Sequence, residues 1–83
     1  QLEYIELEER VESIVNQLPP ERKKVYELSR NEGKKYREIA EELNISIKTV
    51  ENQMGKALKY LRENLKDILS VLILMLVIKF LKL

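Results

Sequence analysis

The sequence has no cysteine, histidine or tryptophan, and only two glycines and two prolines in 83 residues. Without cysteine there can be no disulfide and no thiolate chemistry, and with histidine also missing the usual zinc ligands are gone. Imidazole, the commonest general base, is absent too. No catalytic dyad, metal-ligand cluster or glycine-rich phosphate loop takes their place, so neither an enzyme nor a metal or organic cofactor is expected. Aromatic residues are few, and Tyr4, Tyr26, Tyr36, Tyr60 and Phe80 are scattered at packing positions rather than clustered as a base-stacking platform. The chain begins at Gln1 without an initiator Met and reads as a piece of something longer. With no N-terminal signal pattern, a cytoplasmic location is expected.

What is present is apolar and charged in nearly helical proportion. Apolar residues make up 45%, with many Leu, Ile, Glu and Lys, which favours one small all-α domain. The net charge is only +1, but it is unevenly spread. Residues 1–21 hold six acids against Arg10, a net of −5; residues 22–66 hold twelve Lys and Arg against seven acids, a net of +5. An acidic arm therefore precedes a basic middle.

Tyr4, Leu7, Val11, Ile14, Val15 and Leu18 recur at three- and four-residue steps and predict an amphipathic helix over 3–17. Pro19 and Pro20 stop it, and Pro20 suits the first turn of the next helix, which runs to about Arg30 with Val25 and Leu28 inward. Gly33 can take the left-handed position that ends that helix. A short third helix, Tyr36–Leu43, turns Ile39, Ala40 and Leu43 to one side. Asn44 tolerates a left-handed turn, and Ser46 is a good N-cap for a fourth helix. That helix places Ile47, Val50, Met54, Ala57, Leu58 and Leu61 inward and meets no breaker before about Asp67.

A turn of about three residues between the third and fourth helices meets the demand of a helix-turn-helix, and Ala40 is small enough for the helices to close there. The outward positions of the fourth helix are Lys48, Thr49, Glu51, Asn52, Gln53 and Lys56. Asn and Gln can pair with adenine, Lys can reach guanine or phosphate, and Glu can accept from cytosine. Such a stripe alone is usually just a wet helix face. Here it follows a capped turn and lies near Lys34, Lys35 and Arg37, which suit phosphates, so DNA contact is the favoured reading. Lys35 and Tyr36, at the head of the third helix, and Ser46 complete the candidate set. Gly55 either lets DNA backbone approach or merely weakens the helix.

The run Leu18-Pro19-Pro20-Glu21-Arg22, followed by Glu32-Gly33, Tyr36-Arg37-Glu38-Ile39-Ala40 and Lys48-Thr49-Val50-Glu51, resembles region 4 of the sigma-70 family, in particular its extracytoplasmic-function (ECF) group. The resemblance spans about residues 3–66 and includes the Ala57-Leu58…Leu61-Arg62 ending. It implies a four-helix, winged-helix-like domain whose C-terminal helix-turn-helix binds the −35 promoter element and which docks on the flap of core RNA polymerase. It also leads one to expect an anti-sigma factor as partner. By position, Glu51, Asn52 and Lys56 fall where the family contacts bases or nearby backbone; Ser46, Lys48 and Thr49 fall at the helix end that approaches phosphates. Family members often carry Arg at several of these sites, where this chain has Glu51, Gln53 and Lys56. The part of such proteins that melts the −10 element is not in this sequence, so the chain alone is not expected to initiate transcription.

Residues 1–67 thus read as the DNA-binding domain and 68–83 as an apolar helical extension. Ile68–Ile78 has Ser70 as its only polar side chain, and Lys79 and Lys82 follow. As a helix that run is roughly 17 Å long, short of the ~20 residues a membrane span needs. The first expectation is that it folds back on the domain's own core. Self-association, or docking on another sigma region, polymerase or an anti-sigma factor, comes next, and shallow membrane insertion last. Two rival functions remain at this level: a response-regulator DNA-binding domain, which lacks the Leu-Pro-Pro-Glu-Arg opening, and a helical interaction module that reads no DNA.

Overall fold

A computed structural model describes residues 2–82, with side chains from Glu6 to Leu81. Five helices follow in order: α1 (Leu2–Val15), α2 (Pro20–Arg30), α3 (Tyr36–Leu43), α4 (Ile47–Asn64) and α5 (Lys66–Lys82). There is no strand among the described residues. The expectation for Tyr4 lies outside the described side chains.

Each boundary has a local cause. Pro20 sits at the start of α2, where a missing N–H leaves no bond unmade. Beyond α2, Gly33 takes φ +67°, a conformation that any Cβ would strain, and Lys34 N–H reaches back to Leu28 C=O at 3.0 Å. At the start of α3, the Glu38 carboxylate accepts from the Lys35 backbone N–H at 2.8 Å. The end of α3 is closed by Asn44 at φ 56° and ψ 47°, while Ile45 N–H bonds Ala40 C=O at 3.0 Å. This is the crossed-bond ending that lets a chain reverse within three residues.

The core has two adjoining parts, and α4 serves both. At its N-terminal half, Val50 and Met54 pack with Val25 and Leu28 of α2 and with Ile39 and Ala40 of α3. At its C-terminal half, Ala57 and Leu61 pack with Ile14, Val15 and Leu18. Leu43 and Leu58 close the edges, half-buried. Ile47 departs from expectation. It is 45% exposed, because the first residue of α4 stands at the rim, beyond the reach of α2. Ala40 is buried in the same cluster as Val50 and Met54, so α3 packs directly on α4 and leaves the opposite face of α4 outward.

The periodicity of α4 was expected to run to about Asp67, but the helix ends at Asn64. The Asn64 amide donates to Tyr60 C=O at 2.8 Å, and side-chain competition of this kind weakens the ladder without glycine or proline. Leu65 leaves helical geometry (φ −116°, ψ 10°) and packs against the Ile14–Leu61 cluster. Arg10 then reaches across from α1 to Asn64 C=O and to the Asp67 carboxylate, the latter at 3.1 Å.

The fold-back expected of the apolar extension does not occur. Only Ile68 in the apolar run of α5 is half-buried; from Leu69 to Leu81 its side chains are exposed, Phe80 at 78%. The inner face of α4 is already filled by α1, α2 and α3, so the core offers no open side to α5. Its first turns border Leu7 of α1 in an open groove also lined by Val71, Leu72 and Met75. The rest projects and draws the molecule out to 51 × 23 × 21 Å.

Candidate nucleic-acid interface

The candidate residues belong to one hinge of the fold: the head of α3, the turn and the outer face of α4. Ser46 caps α4 as its sequence position implied, its Oγ accepting from Thr49 N–H at 2.9 Å. The Thr49 hydroxyl shares a 2.9 Å hydrogen bond with the same oxygen, so Thr49 is half-buried and orders the cap. No acid lies in the first turn of α4. The partial positive charge of this helix end therefore faces outward unneutralised by the chain itself.

Lys48, Glu51, Asn52 and Lys56 are all exposed. At three- and four-residue spacing they form a single stripe opposite Val50, Met54 and Ala57. None of them is drawn into the ion pairs made among the described residues. Gly55 lies in the middle of this stripe. A Cβ built on it would meet nothing within 4 Å, so no packing inside the domain requires glycine there.

Other candidates are placed differently. Gln53 faces α2, its carbonyl accepting from Arg22 Nε at 2.9 Å and its amide donating to Glu21 at 3.0 Å. These bonds tie α4 to α2, beside the stripe. Tyr36 is half-buried against the first core cluster, whereas Lys35 and Arg37 are exposed beside it. Lys34, expected near phosphates, pairs with Glu42 and, at 3.9 Å, with Glu32. The hydrogen bond to Glu42 raises the Lys34 pKa, and the same contact lowers that of Glu42.

Two residues escaped the sequence reading. Lys59 is exposed four residues after Gly55 and extends the basic stripe along α4. Counting three- and four-residue steps past Lys56 would have found it. Arg22 was visible only as part of a motif; its contact with Gln53 spans 31 positions of sequence, and no local signal announces it. Among the described residues no cluster of acids is placed to hold a metal ion.

The family model for sigma-70 region 4 matches residues 8–61, from the second turn of α1 to the last buried residue of α4. No curated protein and no solved structure matches the chain. The match takes in both core clusters, the turn and the whole candidate stripe, and leaves α5 outside. The chain belongs to the sigma-70 region 4 family.

Proposed function

We propose that this chain is the region 4 domain of an ECF sigma factor that reads the −35 promoter element through the outer face of α4. Region 4 is a promoter-DNA-binding part of sigma factors, works with RNA polymerase and is not an enzyme. The observation that carries the finer reading is the stripe of Lys48, Glu51, Asn52 and Lys56, exposed and unpaired beside a capped, acid-free helix end.

In this reading Asn52 pairs with an adenine edge, Glu51 accepts from a cytosine amino group, and Lys56 reaches guanine or the adjacent phosphate. Lys48, the N–H groups behind Ser46 and Thr49, and Lys35 hold phosphates and set the register. Gln53 and Tyr36 act indirectly: one locks α4 to α2, the other seats the head of α3. Residues 1–67 form the domain and 68–83 an extension of separate purpose. The domain docks on the polymerase flap, in the cytoplasm where polymerase works.

Selection of duplexes from a random pool at low salt tests the proposal, run beside a Lys48→Ala/Asn52→Ala/Lys56→Ala variant. Enrichment of a short motif that the variant loses supports base reading by α4. Binding that is salt-sensitive, motif-free and unchanged in the variant reduces the role of α4 to phosphate attraction at most.

A second reading draws on α1, where Glu6, Glu8, Glu9 and Glu12 are exposed. Glu8 and Glu12 border a groove of about 530 Å³ shared with Tyr26 and Glu27 of α2. An acidic groove of that kind suits a basic helix of a partner such as an anti-sigma factor. Complete absence of salt-dependent DNA binding would favour this interaction module over the DNA reader.

A further inference from the structure

We infer that Glu21, Arg22 and Gln53 form a positioning network that sets how well α4 discriminates between DNA sequences, although none of the three reads a base. The inference rests on the proposed reading of DNA by the outer face of α4 and deepens it.

The two ends of one side-chain amide are both engaged. Arg22 Nε donates to Gln53 Oε1 at 2.9 Å, and Gln53 Nε2 donates to Glu21 Oε1 at 3.0 Å. Flipping the amide would set its NH₂ against a guanidinium and its oxygen against a carboxylate, so only one orientation satisfies all three groups. Arg22 and Gln53 are half-buried. Among the described residues no other side-chain hydrogen bond joins α2 to α4. Reading a base with Gln53 would mean giving up both bonds.

The α2 end of the network is a stiff anchor. Pro19 and Pro20 restrict the backbone at its start, and Lys23 N–H closes the first turn on Pro19 C=O at 2.8 Å. One turn further, Val25 is fully buried in the cluster that holds Val50 and Met54. The α4 end lies beside the proposed readers: Asn52 directly precedes Gln53, and Lys56 follows three residues later, both exposed.

Apolar packing at Val50, Met54 and Ala57 holds α4 in place but has little direction, whereas hydrogen bonds are directional. A roll of about 20° would carry a side-chain tip ~6 Å from the helix axis through about 2 Å. Recognition geometry tolerates only roughly 0.5 Å. Attraction of Lys48 and Lys56 to phosphates survives such a shift, because it falls off slowly with distance. A paired contact from Asn52 to a base edge does not. The network therefore acts on discrimination more than on overall attraction to DNA.

Competition binding of the full chain to its selected duplex and to a scrambled one tests this, with discrimination read as the ratio of the two affinities. Gln53→Met, Arg22→Met and their combination are compared with Glu21→Gln/Gln53→Glu. The last keeps the net charge and can remake both bonds, since a carboxylate at 53 accepts from Arg22 and from an amide at 21. Helical circular dichroism at the assay temperature confirms that each variant is folded. Each single Met variant is expected to lower the ratio about tenfold, and the combination no further, as for members of one network. The exchanged pair is expected to select the original motif. A loss confined to one base position in Gln53→Met, absent in Arg22→Met and accompanied by a new motif in the exchanged pair, means direct reading by Gln53 and overturns the inference. An unchanged ratio in both single variants overturns it, and so does an equal loss of affinity for both duplexes. If the unaltered chain enriches no motif, the reading of DNA by α4 falls first and the inference with it, a failure visible before any variant is made.

Discussion

Gly55 is the residue whose conformational cost has no return inside the domain. Glycine in a helix interior costs about 1 kcal/mol relative to alanine, and the space at this position is open. Gly55→Ala is therefore expected to raise the unfolding free energy by about 1 kcal/mol, measured by urea denaturation. If DNA backbone approaches here, the same change lowers affinity for the selected duplex several-fold; unchanged affinity would remove Gly55 from the interface. Ser46 works in the opposite sense. Its cap supports the helix end that the proposed interface uses, so Ser46→Ala is expected to cost about 1 kcal/mol in the same assay. Met54 is almost fully buried where α2, α3 and α4 meet, and Met54→Ala should cost roughly 2–5 kcal/mol through the cavity it leaves.

Between elements, the joint of α4 and α5 rests on a charged contact. Arg10 of α1 donates to Asp67 of α5, and this hydrogen bond, helped by the Ile68 backbone, holds the Asp67 carboxyl below its ordinary 3.8. A carboxyl with a lowered folded-state pKa stabilises above its unfolded value and loses that contribution as pH falls through the folded one. The joint is thus expected to be intact at neutral pH and to loosen below about pH 3.8. NMR titration of the Asp67 carboxyl carbon should show the lowered midpoint, and Arg10→Ala should return it toward the ordinary value. Lys34 and Glu42 behave as the complementary case. The lysine is raised from 10.5 and holds its contact until strongly alkaline pH, while the glutamate, lowered from 4.5, releases it only in acid. The turn between α2 and α3 should accordingly keep its geometry across the neutral range.

At the scale of the whole molecule, polarity of charge and polarity of surface point to different partners. The basic middle and the exposed stripe of α4 suit a polyanion, and affinity for DNA should fall steeply with salt as counterions are released. A log–log plot of affinity against salt is expected to slope downward. Its slope should become shallower by about 0.9 for each phosphate-contacting lysine replaced. The projecting α5 suits an apolar partner, whose binding should respond weakly to salt.

Much of this architecture could be read from residue order, because its causes are local. Pro19 and Pro20 halt α1 and open α2, Gly33 and Asn44 take the two left-handed positions, and Ser46 caps α4; each acts within a few residues of itself. Periodicity selected the buried sides of α2, α3 and α4, since a helix repeats its faces every 3.6 residues wherever it packs. The exposed stripe of Lys48, Asn52 and Lys56 follows from the same count. What tertiary structure decided depends on contacts that sequence distance hides. Gln53 looked like a base reader until Arg22 and Glu21 engaged it from α2, and Lys34 looked free until Glu42 met it. Ile47 was exposed by its place at the rim, and α4 was ended by the Asn64 side chain together with the pull of Leu65 into the α1 cluster. The direction of α5 was decided the same way: its apolar character is written in its residues, but its exposure follows from a core already closed by three other helices.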